Sequence, residues 1–93
     1  MFGLSMFGLS KTPLEVLESE QQSLERLHTY WSNEHRRCGY AAMDIDMMEW
    51  PMRWAQWQAA SNSAYAHKMR TMDKITEIRR KIQDLKARDG LTA

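Results

Sequence analysis

Residues 50–85 read WPMRWAQWQAASNSAYAHKMRTMDKITEIRRKIQDL, and this stretch decides the fold. Apolar and small side chains recur alternately three and four residues apart along it, a spacing that keeps one face of an α-helix turned toward a partner helix. The repeat begins with tryptophans, continues with small or polar residues, and ends with isoleucine and leucine. Its positions are Trp50, Trp54, Trp57, Ser61, Ala64, Lys68, Thr71, Ile75, Ile78, Ile82 and Leu85.

The repeat predicts a long helix over about residues 47–88. Asp46 with Glu49 forms a capping-box pattern, and Pro51 is tolerated only in the first turn of a helix. No glycine or proline follows Pro51 until Gly90. The weak point is 61–63, Ser-Asn-Ser, where a break would give three helices, but a continuous helix of roughly 60 Å is favoured.

A first helix is predicted over about residues 13–38. Thr12 supplies a capping hydroxyl, Pro13 suits the first helical position, and Glu15 completes a capping box. Gly39 is a natural terminator, which places the connection at about 39–46. This helix carries a similar repeat at Leu14, Leu17, Gln21, Leu24, Leu27 or His28, Trp31, His35 and Cys38.

The two repeats together predict an all-α fold, an antiparallel helical hairpin with coiled-coil-like packing in a single domain over residues 12–89. Aligning the repeats by hand places Trp31 opposite Trp54 and Trp57, and Leu24 opposite Ala64. The second helix would then extend beyond the first and leave an uncovered apolar stripe. An uncovered stripe is normally covered, either by the N-terminal tail folding back over it or by another subunit, so we expect self-association into a homo-oligomer or a binding surface at this end. The stripe consists of Ile78, Ile82 and Leu85.

Short tails flank this domain at residues 1–11 and 90–93. Residues 1–5 and 6–10 are identical copies of MFGLS, which is equally consistent with a native tail and with a duplicated start at Met6. Phe2 and Phe7 make this tail apolar, so we expect them to dock on a protein surface.

Composition excludes several classes of protein. The chain has 93 residues and a net charge of +1, whereas a dedicated nucleic-acid-binding domain is usually strongly basic. The single Cys38 cannot form an intrachain disulfide. No apolar run approaches the roughly 20 residues of a membrane span, and no signal peptide is recognisable. We therefore expect a location in the cytoplasm or within a larger assembly.

A metal or catalytic site receives little support. His28, His35 and Cys38 share one helical face, with His67 a further candidate, but structural zinc usually recruits close pairs of cysteines. Ordinary packing residues are the favoured interpretation, with no metal and no cofactor. A histidine near Cys38 could also activate its thiol as a nucleophile. No acid–base pair or phosphate loop accompanies these residues, so we expect no enzyme.

The favoured function is therefore a small, non-enzymatic interaction protein, acting as an assembly component, adaptor or inhibitor. Its partner would be another copy of the chain, another protein, or both. Eight methionines and four tryptophans support this interpretation, since both residues suit contact surfaces. Small helical chains without motifs are common among viral and virion accessory proteins, which is an association only. The predicted partner-binding residues are Trp31, Met47, Trp50, Trp54, Trp57, Ile78, Ile82, Leu85, Phe2 and Phe7.

The tryptophan-rich end is apolar around much of its circumference, because Met48 and Met52 lie off the main stripe. With Tyr40 and Met43 nearby, it is a second candidate surface beside the isoleucine end. One alternative function is a membrane-surface protein that uses the N-terminal tail and this end as wedges. Another is weak nucleic-acid binding through the basic C-terminal end, at Arg79, Arg80, Lys81, Lys86 and Arg88.

Overall fold

The protein folds as a hairpin of two α-helices. The computed structural model describes residues 12–92, with side chains through residue 89, and places α1 at Pro13–Met43 and α2 at Pro51–Thr92. The helices pack against each other along their lengths, which confirms the predicted all-α hairpin. The tail over residues 1–11, with Phe2 and Phe7, lies outside the described residues.

The start of α1 follows the predicted capping box. The backbone N–H of Glu15 donates to Thr12 Oγ1 at 3.1 Å, and the backbone N–H of Thr12 donates to Glu15 Oε1 at 2.9 Å. Pro13 occupies the first turn. The two reciprocal hydrogen bonds satisfy backbone donors that a helix start otherwise leaves unpaired.

The end of α1 differs from the prediction, because the helix continues through Gly39 to Met43. Gly39 lies against α2, and a Cβ atom built on it would be 3.9 Å from Ser61 Oγ. Glycine disfavours a helix interior by only about 1 kcal/mol, a cost that packing against a second helix can offset. The predicted termination at Gly39 is therefore wrong.

The connection accordingly spans residues 44–50 rather than 39–46. Asp46 does act as a cap, since its Oδ1 accepts the backbone N–H of Met48 at 2.9 Å and of Glu49 at 3.3 Å. The turn that it caps precedes α2 instead of opening it, and the helix begins at Pro51. Proline suits that position because its missing N–H would have no helical partner there.

The second helix is continuous through residues 61–63, as favoured from the sequence, and continues to Thr92. Ser61 is buried in the interface with α1. A helix supported along one side by a partner tolerates a short run of weak helix formers, because packing contributes more than intrinsic propensity.

The core is the seam between the helices, and the predicted repeats supply all of its buried residues except Ala42, which was placed in the connection. Thr71 Oγ1 donates to the backbone carbonyl of His67 at 2.8 Å, so this buried hydroxyl is paired. Within the described residues, no buried side-chain nitrogen or oxygen lacks a hydrogen-bond partner. At the ambiguous α1 position His28 lies closer to the seam than Leu27, which is exposed. The buried seam residues are Cys38, Ala42, Ser61, Ala64, Thr71, Ile75, Ile78 and Ile82.

The pairing of the two helices differs from the alignment made by hand. Trp31 stacks on the ring of His67, with centroids 4.3 Å apart, instead of facing Trp54 and Trp57. Leu24 lies in one groove with Ile78 rather than opposite Ala64. The alignment was wrong because α1 ends later than predicted, which shifts every position of α1 toward the C-terminal end of α2.

This shift also removes the predicted uncovered stripe. Ile78 is 6% exposed and Ile82 is 8% exposed within the single chain, and Leu85 is half-buried. Ion pairs cross the helices at this level, Arg79 to Glu25 at 3.4 Å and Lys86 to Glu18 at 4.0 Å. The isoleucine end therefore belongs to the hairpin core and offers no open apolar face.

Candidate functional site

Exposed apolar side chains concentrate where the two helices join. They lie on the end of α1, the connection and the first turn of α2. Their exposed fractions run from 48% for Met47 to 85% for Met48. We call them the loop-end surface, and its members are Tyr40, Met43, Met47, Met48, Trp50 and Met52.

These side chains are exposed because the seam beside them is filled by small residues. Cys38 and Ala42 of α1, and Ser61 and Ala64 of α2, are all buried in this part of the seam. Small side chains let two helices approach closely, so little interior volume remains for large ones. The methionines and aromatics of this region are therefore left on the outside of the hairpin.

Two arginines lie over tryptophan rings near this surface. The guanidinium carbon of Arg53 lies 5.3 Å from the ring centroid of Trp50, and that of Arg37 lies 5.7 Å from the ring centroid of Trp57. Such cation–π contacts hold an aromatic ring in place. Trp50 remains 51% exposed, so a large apolar ring is presented to solvent in a restrained position.

The Arg37 side chain is itself held by a carboxylate. It donates to both oxygens of Glu34, Nη2 to Oε1 at 2.9 Å and Nε to Oε2 at 3.2 Å. This bidentate hydrogen bond, and then the positive charge of Arg37, lower the pKa of the Glu34 carboxyl. The same contacts raise the pKa of Arg37. The pair fixes the guanidinium beside Trp57.

The structure separates the predicted partner-binding residues into three groups. Met47 and Trp50 lie on the loop-end surface. Trp31, Trp54, Trp57 and Leu85 are half-buried along the seam, and Ile78 and Ile82 are core residues. Phe2 and Phe7 lie outside the described residues. Met48 and Met52, assigned to the second candidate surface because they lie off the main stripe, join Met47 and Trp50 there. So do Tyr40 and Met43, which were assigned to it as neighbours in the connection.

An open groove adjoins the loop-end surface between the two helices. It has a volume of about 460 Å³, and it is lined by Ser32, His35, Arg36, Gly39, Tyr40, Met43 and Lys68. We call it the cationic groove, because Arg36 and Lys68 line it and no carboxylate of the described residues does. Tyr40 and Met43 belong to both the groove and the loop-end surface.

Sequence reasoning missed this groove, although Lys68 carried a signal. Lys68 occupies a position of the seam repeat that is normally apolar, and it is half-buried. Neither Lys68 nor Arg36 forms an ion pair with a carboxylate of the described residues. Lys68 therefore lies where the interface between the two helices opens toward solvent.

The residues considered for metal binding do not form a cluster. No group of three or more histidine, cysteine, aspartate or glutamate side chains is placed to hold a metal ion anywhere in the described chain. Cys38 is buried in the seam, and the His35 ring lies 5.3 Å from the ring of Tyr65. Neither described helix is long and apolar enough to cross a bilayer.

No protein family, curated protein or solved structure matches this chain. The loop-end surface and the cationic groove are therefore interpreted from their own geometry.

Proposed function

We propose that this protein is a small, non-enzymatic interaction protein that binds another polypeptide through its loop-end surface. The observation that carries the proposal is the exposure of large apolar side chains within one short region, residues 40–52. Contiguous exposed apolar surface is typical of an interaction site. Methionine and aromatic residues are also enriched in protein interfaces, where methionine adapts to an irregular partner.

Charges in the connection favour a protein partner over a lipid surface. Asp44, Asp46 and Glu49 lie among the methionines of the connection and are exposed. Membrane-binding wedges usually combine apolar groups with basic ones, because cell membranes carry anionic lipids. Carboxylates at the tip of the hairpin would be repelled from such a surface, whereas an acidic rim is compatible with a protein interface.

Light scattering after size exclusion, at several protein concentrations, is the first test. The loop-end variant carries Met48→Gln and Trp50→Gln. Its control carries Val16→Gln and Leu27→Gln, which replace apolar side chains that are 49% and 44% exposed elsewhere on the hairpin. If the partner is a second copy, the wild type and the control form a dimer or larger oligomer, and the loop-end variant is a monomer of unchanged helicity.

If the wild type is a monomer, a photo-reactive amino acid at Met47 identifies the partner in extracts of the cells that express the protein. The cross-link should be abolished by excess unlabelled wild type and by the control variant, but not by the loop-end variant. A monomer with no cross-link that shows this competition pattern would contradict the proposal. Binding to lipid vesicles that requires Met48 and Trp50 would contradict it in favour of a membrane function.

A further inference from the structure

We infer that the partner presents an acidic side chain to the cationic groove while its apolar residues cover the loop-end surface. This inference rests on the proposed function and specifies the chemistry of the partner. The groove and the surface share Tyr40 and Met43, so one bound segment can occupy both. Such a segment would carry an apolar face with a glutamate or aspartate beside it.

The groove is lined by groups that recognise a carboxylate. Arg36 contributes a guanidinium, whose planar array of N–H donors matches the two oxygens of a carboxylate. Lys68 contributes an ammonium, Ser32 a hydroxyl, and His35 an imidazole. No acidic side chain lines the groove to neutralise these groups, so the local field favours an anion.

Several cations of the hairpin form no ion pair with a described carboxylate, and two of them, Arg36 and Lys68, line the same groove. Arg37, Arg79, Arg80 and Lys86 each form an ion pair with a glutamate or aspartate. Arg36 and Lys68 form none within the described residues. Lys68 is also half-buried at a seam position, where an ammonium is less well hydrated and interacts more strongly with an opposite charge. A carboxylate from a partner would supply that charge.

Isolated carboxylates fit this site better than a nucleic acid does. The net charge of the chain is +1, so the protein as a whole attracts a polyanion weakly. Asp44 follows Met43 directly, Asp46 lies two residues further on, and both would repel a phosphodiester backbone that extended past the groove.

Three capped, helix-forming peptides test the inference. They share one apolar face of leucine and tryptophan, and their remaining positions carry glutamate, glutamine or lysine. Fluorescence anisotropy measures their binding to the full-length protein at low and at high salt. At low salt the glutamate peptide should bind about threefold to tenfold more tightly than the glutamine peptide, as expected for one or two partly exposed ion pairs. High salt should reduce the preference.

The groove variant carries Arg36→Gln and Lys68→Gln and should lose the preference for glutamate while its circular dichroism is unchanged. Its matched control, Arg26→Gln with Lys81→Gln, removes the same charge from exposed cations outside the groove and should keep the preference. A preference that survives in the groove variant, or that disappears equally in the control, would overturn the inference.

The peptides also separate this inference from the proposed function. Equal binding of the glutamate and glutamine peptides, abolished in the loop-end variant, would overturn the acidic partner and leave the loop-end surface as a binding site. Tightest binding of the lysine peptide, or no binding of any peptide, would also overturn the inference, while the cross-link at Met47 reports on the proposed function independently. Tighter binding of single-stranded oligothymidine than of the glutamate peptide would reassign the groove to phosphate.

Discussion

The two ends of the hairpin share one spacing of seam residues but differ in which side chains they bury. We call the end where α1 begins and α2 ends the open end, and the end where the connection joins the helices the loop end. At the open end, large apolar side chains such as Ile75, Ile78 and Ile82 fill the seam and are buried. At the loop end, the fully buried residues are small, such as Ala42 and Ala64; Trp54 and Trp57 are half-buried, and six large apolar side chains lie outside. The open end is also bridged by ion pairs, whereas the loop end exposes methionine and tryptophan.

The two ends of the hairpin therefore differ in what they contribute, one to stability and the other to binding. Burial of large side chains stabilises a fold in proportion to the apolar area removed from water. Small seam residues bury less area, but they bring the helices close together and leave large side chains available for another molecule. Hence the open end contributes most of the stability, and the loop end is the region free to bind.

The largest expected effect is on the open-end core. Ile75 is 2% exposed and is the largest fully buried side chain of the described residues. Ile75→Ala should lower the free energy of unfolding by about 2–4 kcal/mol, because it removes buried apolar volume and leaves a cavity. Urea unfolding followed by circular dichroism measures this change. Val16→Ala removes methyl groups from an exposed position of α1 and should change stability by about 0.5 kcal/mol or less. Equal effects of the two substitutions would contradict the difference in burial.

The next largest effect tests the close approach of the helices at the loop end. Ala64 is buried in the loop-end part of the seam, where it is 3% exposed. Ala64→Leu should destabilise the fold by about 1–3 kcal/mol, since added volume in a close-packed seam forces the helices apart. The matched substitution Ala59→Leu, at an exposed position of α2, should have little effect on the same urea unfolding curve. A stabilising Ala64→Leu would show that the loop-end seam is loosely packed.

A smaller effect of opposite sign is expected at Gly39. A Cβ atom there would be in ordinary van der Waals contact with Ser61 Oγ, at 3.9 Å, and Gly39 is helical. Gly39→Ala should therefore stabilise the fold by about 0.5–1 kcal/mol through its higher helix propensity. Thermal unfolding measures the shift. Gly39→Leu is the informative companion, since its longer side chain should reverse the sign if the helices are as close as the contact indicates.

The smallest effect concerns the exposed pair Glu34–Arg37. The pKa of Glu34 is lowered in the folded state, so its carboxylate form stabilises the fold at any pH above the carboxyl pKa of the unfolded chain. That contribution is lost as the pH falls through the lowered pKa of the folded state. Thermal melts across acidic pH should show a small advantage of the wild type over Glu34→Gln at neutral pH, which disappears in acid. Arg37→Gln should abolish the same pH dependence, and an advantage that grows in acid would contradict the assigned cause.

Helix starts, caps and most seam residues could be predicted from the sequence, because they depend on residues that are close together along the chain. Thr12, Pro13 and Glu15 predicted the start of α1, and Asp46 predicted a cap close to the start of α2. The spacing of apolar residues predicted the seam residues of both helices, including the continuous course of α2 through residues 61–63. Each of these features follows from local hydrogen bonding or from helical periodicity.

Which residues of α1 lie opposite which residues of α2 could not be predicted from the sequence. A heptad repeat matches its partner equally well after a shift of one or two heptads. Gly39 shows how this affects the prediction: its own preference favours a helix end, but it lies inside α1 and against Ser61 of α2. The resulting longer α1 covers Ile78 and Ile82. Local patterns are enough to predict two amphipathic helices and most of their seam residues. Which apolar residues remain outside depends on how the helices pair, since the exposure of each residue depends on what lies opposite it.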